Sequence, residues 1–130
     1  MPSRLQAKLL LVDDDEALAE MYALQLTASG FQVTTARSGA EALQLVLDAT
    51  PDLIYLDLGL PGMTGLEVLE RLRRAPSTAE VPVVILTNFS EPEMIKRGQE
   101  LGAQDYLIKV DTSPALLAAA AHKWVPRSSD

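Results

Sequence analysis

Residues 8–16 read Lys-Leu-Leu-Leu-Val-Asp-Asp-Asp-Glu, and this stretch sets the interpretation of the chain. A short apolar run of this kind is typical of a strand that is covered on both faces of a parallel sheet. The acids that follow it suit the start of a helix, where negative charge favours the positive end of the helix dipole. The segment therefore predicts a β-strand that leads directly into an α-helix.

The same strand-then-helix unit recurs along the chain. Further strands are predicted at Gln32–Thr35, Asp52–Leu56, Val81–Leu86 and Asp105–Ile108. Helices are predicted at Glu16–Ser29, after the capping-box patterns Ser38/Glu41 and Thr64/Glu67 (the latter opening Gly65–Arg74), from Pro92 to Gly102, and from Ser113-Pro114 onward. Five such units predict a doubly wound, flavodoxin-like (βα)5 three-layer sandwich with a parallel sheet in the order 2-1-3-4-5.

Length and composition narrow the class of protein. The 130 residues, 48% hydrophobic and 22% charged, suit one globular domain with a folded core from about residue 6 to residue 124 and a short polar tail at 125–130. A formal net charge of −7 without a Lys/Arg run argues against binding to nucleic acid or to anionic membrane. No signal-peptide pattern and no apolar run near the roughly 20 residues of a membrane span is present, so a cytoplasmic location is expected.

Polar side chains are predicted at the carboxyl ends of four strands, where ligands bind in open parallel sheets. Asp13-Asp14-Asp15 follow strand 1, Asp57 follows strand 3, Thr87-Asn88 end strand 4, and Lys109 follows strand 5. Converging carboxylates repel one another unless a cation neutralises them, and Mg²⁺ suits a site of one or two carboxylates. Asp15 and Glu16 are assigned to the helix start. The pattern favours phosphoryl transfer to Asp57, with charge shared among Mg²⁺, Lys109 and Thr87.

Four motifs carry a resemblance to a known family. They are Leu10-Leu11-Val12-Asp13-Asp14-Asp15, Asp57-Leu58-Gly59-Leu60-Pro61-Gly62-Met63-Thr64-Gly65, Ile85-Leu86-Thr87, and Asp105-Tyr106-Leu107-Ile108-Lys109. In order and spacing, and over nearly the whole chain, the sequence resembles the receiver domain of two-component response regulators, with a likeness to the single-domain chemotaxis regulators.

The resemblance implies a phosphorylated signalling switch rather than an enzyme, with only self-phosphotransfer and autodephosphorylation expected. It implies that a sensor histidine kinase or a phosphotransfer protein phosphorylates Asp57. Mg²⁺, for which Mn²⁺ is expected to substitute, would be held by Asp14 and Asp57 directly, by Asp13 mostly through water, and by the main-chain carbonyl of Gly59.

The resemblance also implies how the switch is read out. Thr87 and Tyr106 would form the switch, with Lys109 paired to the phosphate. The surface of helix 4, strand 5 and helix 5 would then bind an unidentified downstream protein, and the alanine run at residues 118–121 is compatible with a homodimer through helices 4 and 5.

The sequence departs from the family pattern at three places. Val110 stands where the family usually has a proline, so the peptide after Lys109 is expected to be trans and its loop reshaped. Asn88 replaces a small residue and would narrow phosphate access or add a hydrogen bond. Gly59 and Phe89 replace polar side chains that guide the hydrolytic water in some relatives, so both positions are expected to modulate dephosphorylation.

Three other functions fit parts of the pattern. An aspartyl phosphatase would need a second acid two residues beyond Asp57, where this chain has Gly59. A flavodoxin-like binding domain would need a hydroxyl-rich or Gly-rich phosphate loop after strand 1 instead of three aspartates. A receiver relic would keep the site residues as remnants on a fixed docking surface.

Overall fold

The structure, a computed structural model, describes residues 6–125. The strands are β1 Lys8–Val12, β2 Gln32–Ala36, β3 Leu53–Leu56, β4 Val83–Thr87 and β5 Asp105–Ile108. The α-helices are α1 Glu16–Ala28, α2 Gly39–Asp48, α3 Gly65–Arg74, α4 Pro92–Glu100 and α5 Pro114–Ala121. A short 3-10 helix, Lys109–Asp111, follows β5.

All five strands pair in parallel in the order β2-β1-β3-β4-β5, which confirms the predicted fold and topology. The predicted bounds of β1 and β5 are also correct. β4 begins at Val83 rather than Val81 because Pro82, which has no N–H, precedes the paired residues. The carbonyl of Pro82 still accepts a hydrogen bond from the Ile54 amide at 3.0 Å.

Alternating side chains of the strands build two hydrophobic layers, one on each face of the sheet. One layer packs the sheet against α2 and α3, with partly buried side chains of α4 at its margin. The other packs it against α1 and α5. The β3 side chains are all 1% exposed or less, so the middle of the sheet is closed to water on both faces. In this part of the sheet, polar groups therefore meet solvent only at the ends of the strands.

Helix caps fix where the chain turns at those ends. The Asp15 side chain caps α1 by accepting from the Leu18 amide at 3.1 Å, as its assignment to the helix start predicts. Thr64 and Glu67 form the complete capping box of α3. At α2 the box is incomplete, because the Glu41 carboxylate accepts from the Arg37 amide instead of the Ser38 amide.

Some sequence-based expectations concern membranes and the chain ends. Within residues 6–125, no helix is long and apolar enough to cross a bilayer. Of the predicted tail at 125–130, residues 126–130 lie outside the described part of the chain.

The guanidinium of Arg73 joins two loops on the face of α3 and α4. Its Nη1 donates to the Val81 carbonyl at 2.9 Å, its Nη2 to the Gly102 carbonyl at 2.9 Å, and its Nε to the Leu101 carbonyl at 3.2 Å. Burial lowers the pKa of Arg73 from its ordinary value, although Glu80 opposes the shift. The planar fork of arginine can serve several carbonyls at once, which lysine cannot do. Arg73 therefore ties the chain before β4 to the turn before β5.

We expect Arg73→Met to lower the free energy of unfolding by about 2–3 kcal/mol, because it leaves several carbonyls without a charged donor. Urea unfolding followed by circular dichroism measures the change. Arg71→Met, which removes an exposed guanidinium from the same helix, is the matched control and should change stability by less than about 0.5 kcal/mol. Equal losses in the two variants would show that the Arg73 hydrogen bonds do not stabilise the fold.

Candidate functional site

Three carboxylates meet where β1 and β3 end. β1 is followed by Asp13 and Asp14, and β3 by Asp57, and the two strands are hydrogen-bonded neighbours. The Asp57 amide donates to the Val12 carbonyl at 3.0 Å, which fixes the level of Asp57 beside the acids of β1. One carboxylate oxygen of each acid lies within 4.8 Å of those of the others. The predicted acidic cluster is therefore present in the fold.

Lys109 reaches into this cluster from the end of β5. Its Nζ lies 2.8 Å from Asp13 Oδ2 and 2.7 Å from Asp57 Oδ2, and the lysine side chain is only 9% exposed. Burial by itself would lower the pKa of Lys109, but its bonds to Asp13 and Asp57 more than offset this and raise the pKa above its ordinary value. The ammonium is therefore held in its charged form between two carboxylates.

The carboxylate of Asp13 is buried and poorly solvated. It is 1% exposed, and burial raises its pKa although Lys109 and the Asp15 amide oppose the shift. Its Oδ1 accepts from the Asp15 amide at 2.9 Å, whereas its buried Oδ2 has only the ion pair with Lys109 and no hydrogen bond of good geometry.

The cluster fits a hard divalent cation. Three carboxylates face one ammonium, so the site keeps an excess of negative charge, and the buried Asp13 Oδ2 lacks a full set of partners. Carboxylate oxygens are the donors that Mg²⁺ and Mn²⁺ prefer. Asp14 is exposed, which leaves one side of the cluster open to water and to an incoming ligand.

Gly59 and Phe89 lie together at the mouth of the site. The Gly59 amide donates to Asp57 Oδ1 at 3.1 Å. A methyl group on residue 59 would come within 3.0 Å of the Phe89 ring, so the aromatic side chain lies over the glycine. The ring is 41% exposed and borders the approach to Asp57.

Thr87 is the last residue of β4, and Tyr106 lies in β5 beside Ile85 of β4. Thr87 is 1% exposed, and its hydroxyl accepts from the Phe89 amide at 3.4 Å. The Tyr106 hydroxyl donates to the Phe89 carbonyl at 2.6 Å, and the ring is half-buried. Burial, with smaller contributions from Glu91 and Asp57, raises the pKa of Tyr106, so its hydroxyl keeps the proton that it donates.

The loop after Lys109 has a defined shape without a proline. The Lys109–Val110 peptide is trans, as expected, and residues 109–111 form the 3-10 helix. Asn88 Oδ1 accepts from the Val110 amide at 3.1 Å, so its amide group contacts the neighbouring loop.

The sequence that forms this site matches the model of one protein family. The response regulator receiver domain matches residues 9–121, nine-tenths of the chain, including every site residue described above. The chain belongs to this family.

The relatives that the chain matches include longer regulatory proteins. The chain is 40% identical over 111 residues to the phosphate regulon transcriptional regulatory protein PhoB of Rhizobium meliloti, covering 85% of this chain and 49% of that protein. It thus spans about half the length of the curated relatives it matches.

Solved structures agree with this family assignment. The chemotaxis protein CheY4 of Vibrio cholerae superposes with a TM-score of 0.86 at 31% identity, covering 93% of this chain and 100% of that one. The Mn²⁺-bound form of response regulator Rcp1 superposes with a TM-score of 0.83 at 26% identity, covering 95% and 97%. The likeness to the chemotaxis regulators is therefore confirmed at the level of the receiver domain.

Sequence reasoning missed Tyr22, which the helical spacing of α1 places among apolar core residues. Its ring is 1% exposed, yet its hydroxyl donates to the Thr112 carbonyl at 2.8 Å and thereby holds the loop after Lys109. The signal in the sequence is a single hydroxyl on an apolar helix face, and it could not reveal a partner 90 residues away.

We expect Lys109→Met to destabilise the metal-free protein by about 3 kcal/mol at neutral pH, because it leaves Asp13 and Asp57 without their buried cation. Folding raises the pKa of Lys109, so its contribution is complete below the ordinary lysine pKa and is lost as the pH rises through the raised one. The deficit should also shrink as the pH falls through the raised pKa of Asp13, since the protonated acid no longer needs a cation.

Urea unfolding of wild type and Lys109→Met checks the expectation. It is measured without divalent cations, from below the raised pKa of Asp13 to above the raised pKa of Lys109. Lys96→Met, at an exposed lysine of α4, is the control and should leave stability nearly unchanged at every pH. A deficit of constant size at every pH would contradict a charge-based role for Lys109.

Proposed function

We propose that Asp57 is the phosphoacceptor of a signalling switch that a sensor histidine kinase or a phosphotransfer protein phosphorylates. One observation carries the proposal: a buried carboxylate at the end of β3 lies 2.7 Å from the Lys109 ammonium and within ligand distance of two more acids. Membership of the receiver family supports the same assignment.

The geometry around Asp57 suits phosphoryl transfer to one of its oxygens. Oδ1 accepts from the Gly59 amide and Oδ2 from Lys109, so the carboxylate is held in one orientation. A carboxylate oxygen forms the new bond to phosphorus while the phosphorus–nitrogen bond of a donor phosphohistidine breaks, and the imidazole leaves with the electron pair. Lys109 then exchanges a carboxylate partner for a phosphoryl oxygen, and Thr87 approaches from the end of β4.

The same acids supply the cation site. We assign Mg²⁺, with Mn²⁺ able to replace it, to Asp13, Asp14, Asp57 and the main-chain carbonyl of Gly59. The bound ion would neutralise the carboxylates and withdraw charge from the phosphoryl oxygens. A structural neighbour, response regulator Rcp1, is described as Mn²⁺-bound, which supports a divalent cation as a ligand of this chain as well.

Thr87 and Tyr106 form the proposed switch. The Thr87 hydroxyl accepts from the Phe89 amide, and the Tyr106 hydroxyl donates to the Phe89 carbonyl. A shift of Thr87 toward a phosphoryl group therefore disturbs the hydrogen bond of Tyr106. Phosphorylation then changes the surface of α4, β5 and α5, to which a downstream protein or a second copy of the chain binds. Asn88, Phe89 and Gly59 border the phosphoryl group and set its lifetime.

Acetyl phosphate with Mg²⁺ should add one acid-stable, base-labile phosphoryl group to the wild-type chain, and Asp57→Asn should abolish it because the amide is not a nucleophile. Intact-protein mass spectrometry counts the group. Asp48→Asn, at an exposed acid beside the amino ends of β1 and β2, is the control and should be labelled as well as wild type. Undiminished labelling of Asp57→Asn would overturn the assignment.

Mg²⁺ should also stabilise the fold, since it binds the native site and not the unfolded chain. A concentration of 100 times the dissociation constant contributes about 2.7 kcal/mol, measured as a rise in the thermal midpoint. Asp14→Asn should lose most of this rise. Asp15→Asn removes the neighbouring charge but keeps a residue that caps helices well, so it should retain the rise. A similar loss in both variants would argue for nonspecific screening of the acids.

A further inference from the structure

A hydrogen bond joins the two loops that carry the phosphate-binding groups. Asn88 Oδ1 accepts from the Val110 amide at 3.1 Å. Asn88 directly follows Thr87, and Val110 directly follows Lys109. The bond therefore ties together the residues next to the two side chains that are proposed to hold the phosphoryl group. It also depends on residue 110, because a proline there would have no N–H to donate.

The far end of the same loop is held from the other face of the sheet. The Thr112 amide donates to the Lys109 carbonyl at 3.0 Å, and the Thr112 hydroxyl donates to the Ile108 carbonyl at 2.8 Å. The Tyr22 hydroxyl of α1 donates to the Thr112 carbonyl. Burial raises the pKa of Tyr22, so this donor stays protonated.

These bonds leave Asn88 as the tether nearest to Lys109 on the side of the phosphate site. The Val110 side chain is 79% exposed and anchors nothing by packing, so among the contacts described for residue 110 only its backbone amide fixes the loop to β4. The Lys109 ammonium must nevertheless reach two carboxylates on β1 and β3 at 2.7–2.8 Å. A small rotation of the backbone at residues 109 and 110 would move it out of reach.

We propose that Asn88 is a positioning residue that latches the loop after β4 to the loop after β5 and so aims Lys109 at Asp57. The latch is the bond from the Val110 amide to Asn88 Oδ1. It takes over the task of fixing the loop where no proline stiffens it. Its effect on phosphorylation rests on the proposed role of Asp57, whereas its effect on the loop does not.

A double-mutant cycle tests the latch, because two residues that act through one bond are not additive. Asn88→Ala removes the acceptor and Val110→Pro removes the donor. In the wild-type background, Asn88→Ala should lower the rate constant for phosphorylation of Asp57 by acetyl phosphate about two- to tenfold, the population change that one net hydrogen bond brings. In the Val110→Pro background, where residue 110 has no N–H to donate and the proline itself stiffens the loop, Asn88→Ala should change the rate constant little, whatever rate Val110→Pro has on its own. Val110→Ala, which keeps the amide, should match wild type.

Hydrogen exchange of the Val110 amide, followed by NMR in the unphosphorylated protein, is the second readout. Asn88→Ala should speed this exchange and leave the core amide of Ile85 unchanged, whereas Asn88→Asp, which keeps an acceptor oxygen, should restore slow exchange. Equal exchange in wild type and Asn88→Ala, or multiplicative rate losses in the double variant, would overturn the latch. If wild type takes up no phosphoryl group, the proposed function fails, and the exchange result still decides the latch.

Discussion

Burying like charges together is the constraint on which the rest of this structure depends. The carboxylates of Asp13 and Asp57 are nearly removed from water at the ends of two adjacent strands, where burial and the charge of Asp57 both raise the cost of ionising Asp13. The Lys109 ammonium offsets part of that cost in the metal-free protein. The proposed cation or phosphoryl group would change this charge balance.

Apolar packing of the central strands holds these charged groups close together. β1, β3 and β4 are covered on both faces, so their ends are fixed in space by apolar packing before any polar contact is considered. Gly65 lets α3 begin directly against the end of β3, since a methyl group there would collide with the Asp57 carbonyl. The segment that carries Asp57 is thereby held from the backbone side, and the loops after β4 and β5 complete the site.

The strand ends could be predicted because short apolar runs between helical segments mark the buried strands. The parallel arrangement of those strands then brings their carboxyl ends to one edge of the sheet. Asp13, Asp57 and Lys109 needed no more than that. Contacts made by single polar side chains with distant backbone groups could not be predicted, since no spacing in the sequence encodes them. The hydrogen bonds from the Arg73 guanidinium to loop carbonyls, and the bond from the Val110 amide to Asn88 Oδ1, are of this kind. At α2 the pattern located the helix start correctly, with Ser38 as the N-cap, but Glu41 accepts from the Arg37 amide instead of the Ser38 amide.

Chemical trapping of the acyl phosphate locates the reacting residue most directly. After treatment with acetyl phosphate and Mg²⁺, borohydride reduction converts a phosphorylated aspartate to homoserine, which peptide sequencing by mass spectrometry places on a single residue. We expect homoserine at residue 57 and aspartate at residues 13, 14 and 15. Homoserine at any of those three acids, with residue 57 unchanged, would contradict the assignment of Asp57 as the phosphoacceptor.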